Sequence, residues 1–242
     1  GRPTSDTTPG GAEMGKVRFT QTMSLDGYTA GPGQTREEPL GKGGEELHEW
    51  MLHTRTFYEM TGKEGGTTGL DDEQMRRWNE NIGAHIMGRN MFGPVRGEWG
   101  DEDWRGWWGD DPPYHAPTFV LTHHPRASIP MAGGTTFHFV TEGIEAALEQ
   151  ARAAAGNLDV KIGGGVSTVR QYLQAGLVDE LHFAISPVVL GRGEAMFAGL
   201  DLPALGFHVV DHVATAAATH VTLARQAAIG RAGKQRATCA PR

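Results

Sequence analysis

The sequence predicts an α/β protein with a mostly parallel central sheet, helices on both of its faces and a C-terminal antiparallel pair of strands. Short apolar strands alternate with amphipathic helices through most of the 242 residues, and this alternation is typical of a parallel sheet. One strand meets three consecutive glycines at 163–165 and passes directly into a helix. Near the end of the chain, two alternating runs at 207–213 and 219–223 predict the closing antiparallel pair.

Each predicted element depends on its own local pattern. Alternating or short apolar runs bounded by turn residues predict strands at 16–24, 84–88, 118–122, 135–140, 160–162, 181–185, 207–213 and 219–223. Apolar residues at helical spacing predict helices at 45–58, at 142–155 and from Val166 onward. Between the first two, the acidic residues 71–73 suit the first turn of another helix, which is predicted from Asp71 onward. Thr141 is a plausible N-cap of the third helix. The glycine-rich segment 31–44 predicts a mobile loop, and 93–117 shows no regular pattern.

The composition excludes several classes of protein. The formal net charge of −7 disfavours a general binder of nucleic acid or of acidic membranes. No apolar run approaches the roughly 18–20 residues that span a bilayer. Cys239 is the single cysteine, which excludes an intramolecular disulfide and favours a reducing, cytoplasmic location. The histidine pairs 123–124 and 48 with 53 lack a third ligand at metal-binding spacing, so no metal site is predicted.

The chain is predicted to form one domain, at residues 14–226. Residues 1–13 are rich in Gly, Pro, Thr and Ser and lack an apolar core, so this segment is predicted to be disordered. The end of the chain, 227–242, is basic with little apolar surface to bury, and it is predicted to be a solvated tail.

The glycine junction at 163–165 predicts a phosphate-binding turn. Val166, Val169 and Leu173 follow it at helical spacing. Backbone N–H groups at such a junction point outward at the positive end of a helix, and the glycines lack the Cβ atoms that would keep an anion away. The alternative is a tight strand-to-helix turn with no ligand.

Two further strand ends carry groups that suit a phosphate. Strand 84–88 ends in Gly88, and the Arg89 guanidinium that follows is able to make forked hydrogen bonds to phosphate oxygens. Strand 118–122 runs into polar and cationic residues at 123–126. Open α/β sheets bind ligands at the carboxyl ends of their strands, so three such ends predict a dinucleotide. Neither the Walker nor the Gly-x-Gly-x-x-Gly spacing is present, which excludes a P-loop and an ordinary Rossmann turn.

Four motifs, taken in order, resemble those of the dihydrofolate reductase-like superfamily. They are Ser24-Leu25-Asp26-Gly27-Tyr28-Thr29-Ala30, Met87-Gly88-Arg89, Ile162-Gly163-Gly164-Gly165, and Val178-Asp179-Glu180-Leu181 leading to Pro187-Val188-Val189-Leu190-Gly191. The chain is most similar to the reductase domain of riboflavin biosynthesis and its stand-alone bacterial relatives. The resemblance covers about residues 15–224.

The resemblance implies a three-layer α/β/α reductase that binds NADPH across the carboxyl ends of the sheet. It also implies a homodimer, the common form in the riboflavin branch. The residues that match cofactor-binding positions are Thr22, Met23, Gly88, Arg89, Asn90, Thr122, His123, Arg126, Gly163, Gly164, Gly165, Val166, Ser167 and Thr168. Of these, Thr122, His123 and Arg126 match the region near the adenosine ribose, where a cation favours a 2′-phosphate and hence NADPH over NADH.

The proton donor is harder to predict than the cofactor site. NADPH supplies the hydride, so the protein must align the reactants and deliver a proton. Asp26 is the first candidate for catalysis and for substrate contact, because it follows the strand expected beside the nicotinamide. Its alternative is a turn residue that bonds its own backbone. Glu45 and Glu49 are weaker candidates, and a solvated helix face also explains both.

The substrate and the exact reaction stay open in the sequence. Trp50 is a candidate for lining a pocket for a flat heterocycle, with a core position as the alternative. The Trp-rich acidic segment 99–114 suits a substrate lid, a dimer contact or a surface loop held down by its indoles. We expect an NADPH-dependent reductase acting on a C=N or C=O bond of a small heterocyclic or sugar-linked substrate. The rivals are a flavin-using oxidoreductase and a reductase fold recruited for binding or for a non-redox condensation.

Overall fold

The computed structural model describes residues 14–100 and 103–226, and a nine-stranded sheet dominates this part of the chain. The strands are β1 (Val17–Ser24), β2 (Ile82–Gly88), β3 (Pro117–Leu121), β4 (Ile129–Pro130), β5 (Thr136–Val140), β6 (Asp159–Ile162), β7 (Glu180–Ser186), β8 (Phe207–Ala214) and β9 (Thr219–Arg225). Their order is β4-β5-β3-β2-β6-β1-β7-β9-β8. The neighbours from β5 to β7 are parallel, whereas β4, β9 and β8 each pair antiparallel. The predicted fold class is confirmed. The predicted disordered ends, 1–13 and 227–242, lie outside the described residues.

The first predicted helix is interrupted, and the prediction of one continuous helix over 45–58 is wrong. The helices are α1 (Glu49–Leu52), α2 (Arg55–Met60), α3 (Leu70–Asn79), α4 (Arg89–Phe92), α5 (Ile144–Ala155) and α6 (Val166–Gln174), and a 3₁₀ turn, Glu45–His48, precedes α1. Thr54 separates α1 from α2 with extended backbone angles of φ −68° and ψ 149°. Its hydroxyl accepts the Phe57 amide at 3.2 Å, and its backbone pairs with Thr67. The cap and the bridge at Thr54 therefore break the helix, although the apolar residues on both sides have helical spacing.

Helix α5 begins two residues later than predicted. Its N-cap is Gly143, whose φ of 95° lies in the left-handed region that favours glycine. Thr141 does not cap the helix, and its own amide bonds the Glu142 side chain at 2.9 Å. The choice of Thr141 as N-cap is therefore wrong, because the backbone turn at Gly143 sets the start of the helix.

Helices pack on both faces of the sheet, which produces the three layers. On the first face, α5 and α6 cover the buried side chains Phe19, Ile86 and Ile162. On the second face, α1 and α3 place Trp50 and Trp78 over β7. The alternation of each strand thus directs one set of side chains to each core.

A buried ionic group lies on the second face beneath α3. The Arg18 guanidinium pairs with Asp159 at 3.3 Å and with Glu180 at 3.6 Å. It also donates to the backbone carbonyls of Arg77 and Glu80, at the C-terminal end of α3. One side chain on β1 therefore joins both neighbouring strands to the helix above them.

Two more basic side chains continue this row across the sheet. The strand register places Lys161 of β6 beside Arg18 on one side and beside His85 of β2 on the other. Burial, with repulsion from Arg18, lowers the pKa of Lys161 to about 7. Burial, with repulsion from Lys161, lowers the pKa of His85 to about 3. Burial thus makes a positive charge on Lys161 or His85 energetically unfavourable, whereas the charge of Arg18 is paired with carboxylates.

Candidate cofactor site

Four adjacent strands bring the predicted cofactor residues to one edge of the sheet. The strands β3, β2, β6 and β1 are neighbours in this order and run parallel. Their carboxyl ends carry residues 122–126, 88–90, 163–168 and 22–23, respectively. The structure therefore brings together the segments that the sequence predicted, at the place where open α/β sheets bind ligands.

Glycines join the ends of β2 and β6 closely. The Gly88 amide donates to the Gly164 carbonyl at 2.7 Å, and the Gly163 amide donates to the Ile86 carbonyl at 2.8 Å. A Cβ at Gly88 would lie 2.4 Å from Oγ1 of the buried Thr168 on α6. The protein's own packing thus requires glycine at 88, and a φ of 124° favours glycine at 164.

Gly165 is a glycine that the protein's own packing does not require. Its φ is −79°, and a Cβ built on it meets no protein atom within 4 Å. Among the glycines in the described part of the chain, it alone combines ordinary φ with such free space. It is the N-cap of α6 and offers no side chain to the amides of the first turn, which include those of Val166, Ser167 and Thr168. An anion is able to approach these amides where the Cβ is missing.

Arg89 lies beside this turn with one nitrogen still unpaired. Its Nε donates to the Val95 carbonyl at 3.1 Å, and its Nη1 donates to Oγ1 of the buried Thr122 at 3.2 Å. Its Nη2 is buried and has no partner in the described structure. Burial, followed by repulsion from Arg96 and Arg126, lowers the pKa of the Arg89 guanidinium. An anion between these guanidinium groups would satisfy the free nitrogen and relieve the repulsion.

The segment after β3 completes the cationic side of the edge. Arg126 donates from Nη1 to the Trp104 carbonyl at 2.7 Å, and its Nη2 lies 3.5 Å from the exposed carboxylate of Asp103. Burial is the main cause that lowers the pKa of Arg126. His123 and Asn90 are exposed at the same edge. Arg126, the cation predicted near the adenosine ribose, therefore lies close to Arg89.

Trp50 is not on an open surface. Its ring is 4% exposed and packs against Trp78 and His220, with ring centroids 5.0 and 4.7 Å away. Its indole Nε1 donates to Oγ1 of Thr22 at 3.0 Å. The core position weighed as the alternative is the one observed, because burial leaves little of the ring for a substrate. Trp50 instead supports the strand that carries Thr22 and the half-buried Met23.

Asp26 does not have the environment of a proton donor. Its exposed carboxylate accepts hydrogen bonds from the Ser24 hydroxyl at 2.6 Å, the Gly191 amide at 2.7 Å and the Leu190 amide at 3.1 Å. The bond from Ser24, supported by both amides, lowers the pKa of Asp26. A carboxylate held ionised in this way cannot supply a proton near neutral pH. The proton-donor role of Asp26 is therefore disfavoured, and its hydrogen bonds show the turn role given as the alternative, in which it anchors the loop after β7. Its contact with a substrate stays a prediction.

The weaker acid candidates, Glu45 and Glu49, lie on the surface of the protein. Their exposure fits the solvated helix face given as the alternative, and the Glu49 carboxylate lies 3.6 Å from the His53 ring.

In the described part of the Trp-rich segment 99–114, Trp99 and Trp104 donate their indole N–H groups to the backbone carbonyls of His124 and Phe92, both at 2.8 Å. These indoles hold the segment against the second face of the sheet.

The sequence did not assign a specific role to Trp99 or Arg96. Both lie beside Arg89, and the Trp99 ring lies under the guanidinium groups of Arg89 and Arg126. The only local signal was an aromatic and cationic segment between two strand ends that carry arginine.

Within residues 14–100 and 103–226, no group of three His, Cys, Asp or Glu side chains is arranged to hold a metal ion. In the same residues, the helices are too short or too polar to cross a membrane.

Comparisons with known proteins agree with this architecture. The structure of a putative riboflavin biosynthesis protein from Shewanella sp. PV-4 is 20% identical with a TM-score of 0.55, and the match covers 88% of this chain and 99% of that one. The diaminohydroxyphosphoribosylaminopyrimidine deaminase/5-amino-6-(5-phosphoribosylamino)uracil reductase from Thermotoga maritima is 14% identical with a TM-score of 0.54, and the match covers 88% of this chain and 57% of that one. At these identities, the likeness concerns the fold. No curated protein sequence matched the chain.

A family model identifies the chain more directly than these structural neighbours. The model described as the RibD C-terminal domain matches residues 15–224. This match confirms the resemblance that the four motifs indicated. The protein is a member of the RibD C-terminal domain family.

Proposed function

We propose that this protein is an NADPH-dependent reductase that transfers a hydride to a C=N or C=O bond of a small heterocyclic or sugar-linked substrate. Membership in the RibD C-terminal domain family favours a reductase. The Thermotoga maritima relative is named as a reductase of a phosphoribosylamino-uracil, which is a heterocycle linked to a sugar. That name supports the substrate class proposed for this chain.

The observation that carries the proposal is the pairing of an open glycine turn with an unsatisfied guanidinium on neighbouring strand ends. The amides that follow Gly165 would hold the pyrophosphate, and Arg89 with Arg126 would hold a further phosphate. The backbone of Thr22 and Met23 would lie beside the nicotinamide. NADPH supplies the hydride when bound, and the protein aligns donor and acceptor and excludes water.

The substitution Gly165→Ala tests the proposed phosphate turn. The new methyl group meets no protein atom, so the melting temperature is expected to stay unchanged. The same methyl group occupies the space that a phosphate needs, so the Kd for NADPH is expected to rise about tenfold, which corresponds to mild overpacking. Isothermal titration calorimetry and thermal denaturation measure the two quantities.

Gly88→Ala is the matched contrast. Its Cβ would lie 2.4 Å from Oγ1 of Thr168, so this variant is expected to lose thermal stability as well as affinity. Equal NADPH affinities in the wild type and in Gly165→Ala would show that no phosphate of the cofactor binds at this turn. A yellow purified protein would favour a flavin enzyme instead. NADPH binding without oxidation by any carbonyl, imine or pterin would favour a non-redox role.

The proposal includes a homodimer. The outer strand β8 is exposed over residues 208–212, and Val209 and Val210 are 58% and 52% exposed. An edge strand with exposed apolar side chains is prone to association, and a second copy would cover it. We expect analytical ultracentrifugation to find a dimer and the double variant Val209→Lys/Val210→Lys to be monomeric. A monomeric wild type would contradict this part of the proposal.

A further inference from the structure

Trp99 contacts both guanidinium groups at the proposed phosphate site. The Cζ atom of Arg89 lies 3.7 Å from the centroid of the Trp99 ring, and the Cζ atom of Arg126 lies 4.8 Å from it. Both distances are well within the range of a cation–π interaction, for which tryptophan is the best aromatic partner. One indole therefore contacts two cations that come from different strand ends.

Trp99 is itself held firmly. Its Nε1 donates to the His124 carbonyl at 2.8 Å, which ties the ring to the segment after β3. Its ring packs edge-on against Phe139 of β5 and Phe92 of α4, with centroids 5.1 and 5.8 Å away. The hydroxyl of Thr122 accepts the His124 amide at 3.1 Å and also bonds Arg89. The ring and the two cations thus share one framework at the ends of β2 and β3.

This framework holds like charges close together before a ligand arrives. The guanidinium groups of Arg89, Arg96 and Arg126 are near enough for repulsion to contribute to the lowered pKa of Arg89. The nearby carboxylates Glu98 and Asp103 are exposed, at 88% and 85% of their side chains. Exposed carboxylates are well solvated and offset buried charge only weakly. The electron-rich face of the indole offsets part of the repulsion, and a phosphate dianion would offset the rest.

We propose that Trp99 is a positioning residue that holds Arg89 and Arg126 ready for the 2′-phosphate of NADPH and so sets the preference for NADPH over NADH. The inference rests on the proposed function, because it assumes that this edge of the sheet binds a nicotinamide dinucleotide. It assigns the discrimination between cofactors to an aromatic side chain that touches the cations rather than the phosphate. The Nη2 of Arg89, which is buried and has no hydrogen-bond partner in the described structure, is the donor that this arrangement leaves unpaired.

Trp99→Leu and Trp99→Phe test the inference by calorimetric titration with NADPH, NADH and 2′,5′-ADP. The leucine variant loses the aromatic face, so the Kd for NADPH and for 2′,5′-ADP is expected to rise about tenfold. The Kd for NADH is expected to change less than about twofold, because NADH lacks the phosphate that these cations bind. Phenylalanine has a weaker aromatic face, so an intermediate loss of about threefold is expected for the 2′-phosphorylated ligands.

Trp108→Leu is the matched control. Trp108 belongs to the same segment, is 47% exposed, and is not among the rings that lie beneath a guanidinium group in the described structure. It is expected to leave the ratio of the NADPH and NADH affinities unchanged. If the substitutions only loosened the segment, the affinities for NADPH and NADH would both fall, or the melting temperature would fall, in the Trp99 and Trp108 variants alike. That result would contradict a specific positioning role of Trp99.

The outcomes separate the inference from the function on which it rests. A wild-type protein that binds neither NADPH nor NADH would overturn the proposed function and the inference together. A wild type that prefers NADPH, with the same preference in Trp99→Leu, would overturn the inference alone. If the leucine variant does not fold, Trp99→Phe decides, because an unchanged ratio in that variant also contradicts a positioning role.

Discussion

Replacing Arg89 with methionine is expected to weaken NADPH binding about 10- to 150-fold, since hydrogen bonds to charged groups contribute about 1.5–3 kcal/mol. Methionine keeps much of the apolar stem that packs on Trp99 and removes the guanidinium. NADH lacks the extra phosphate, so its affinity is expected to fall much less. Titration calorimetry with both cofactors measures the change, and the melting temperature reports any loss of packing.

Arg96→Met is the control for this change of charge. Arg96 is exposed, and its Nη1 donates to the Gly93 carbonyl at 2.8 Å. It contributes long-range charge without a buried free donor, so a loss of about threefold or less in NADPH affinity is expected at moderate salt. An Arg89→Met variant that binds NADPH as well as the Arg96 variant would contradict the proposed phosphate contact.

Replacing Arg18 with methionine is expected to lower the free energy of unfolding by about 3–5 kcal/mol, the typical cost of breaking a buried ion pair from one side. The change leaves the buried carboxylate of Asp159 without its guanidinium partner. It also removes the donor that satisfies the carbonyls of Arg77 and Glu80 at the end of α3. Urea denaturation near neutral pH measures the loss.

Lys16→Met is the matched control on the same strand end. The Lys16 ammonium pairs with Glu180 at 3.3 Å, but its side chain is 64% exposed. An exposed pair of this kind contributes about 0–1 kcal/mol, so the control is expected to unfold near the wild-type midpoint. A small loss for Arg18→Met, comparable with that of Lys16→Met, would show that Arg18 does not hold α3 to the sheet.

Much of the fold and the positions of the cofactor segments were predictable, because both depend on local patterns. A strand that alternates every second residue, such as β7, and a helix that repeats every 3.6 residues, such as α5, are visible in a short window. The glycine turn at 163–165 and Gly88-Arg89 follow strands, and carboxyl ends of parallel strands meet at one edge. The sequence therefore indicated the edge at which these residues lie.

The errors came from interactions that a short window does not contain. The helix over 45–58 is broken at Thr54 partly by a bridge to Thr67. Asp26 looked like an acid near the nicotinamide, but its carboxylate is bonded by amides of residues 190 and 191. From the sequence, Trp50 was a candidate for contacting a substrate, but in the structure its ring packs against Trp78 and His220. In each case, the deciding partner is distant in the chain.

The sequence by itself determined the α/β class, the positions of all the predicted strands and the glycine and arginine residues that point to a dinucleotide. The tertiary structure alone decided that β6 lies between β2 and β1, which places the turn ending in Gly165 next to Arg89. It also decided that Trp99 lies beneath Arg89 and Arg126, and that Arg18 joins two strands to α3. The physical reason is that periodicity reports which face of an element is buried, whereas the choice of neighbour depends on packing and charge pairing between residues far apart in the chain.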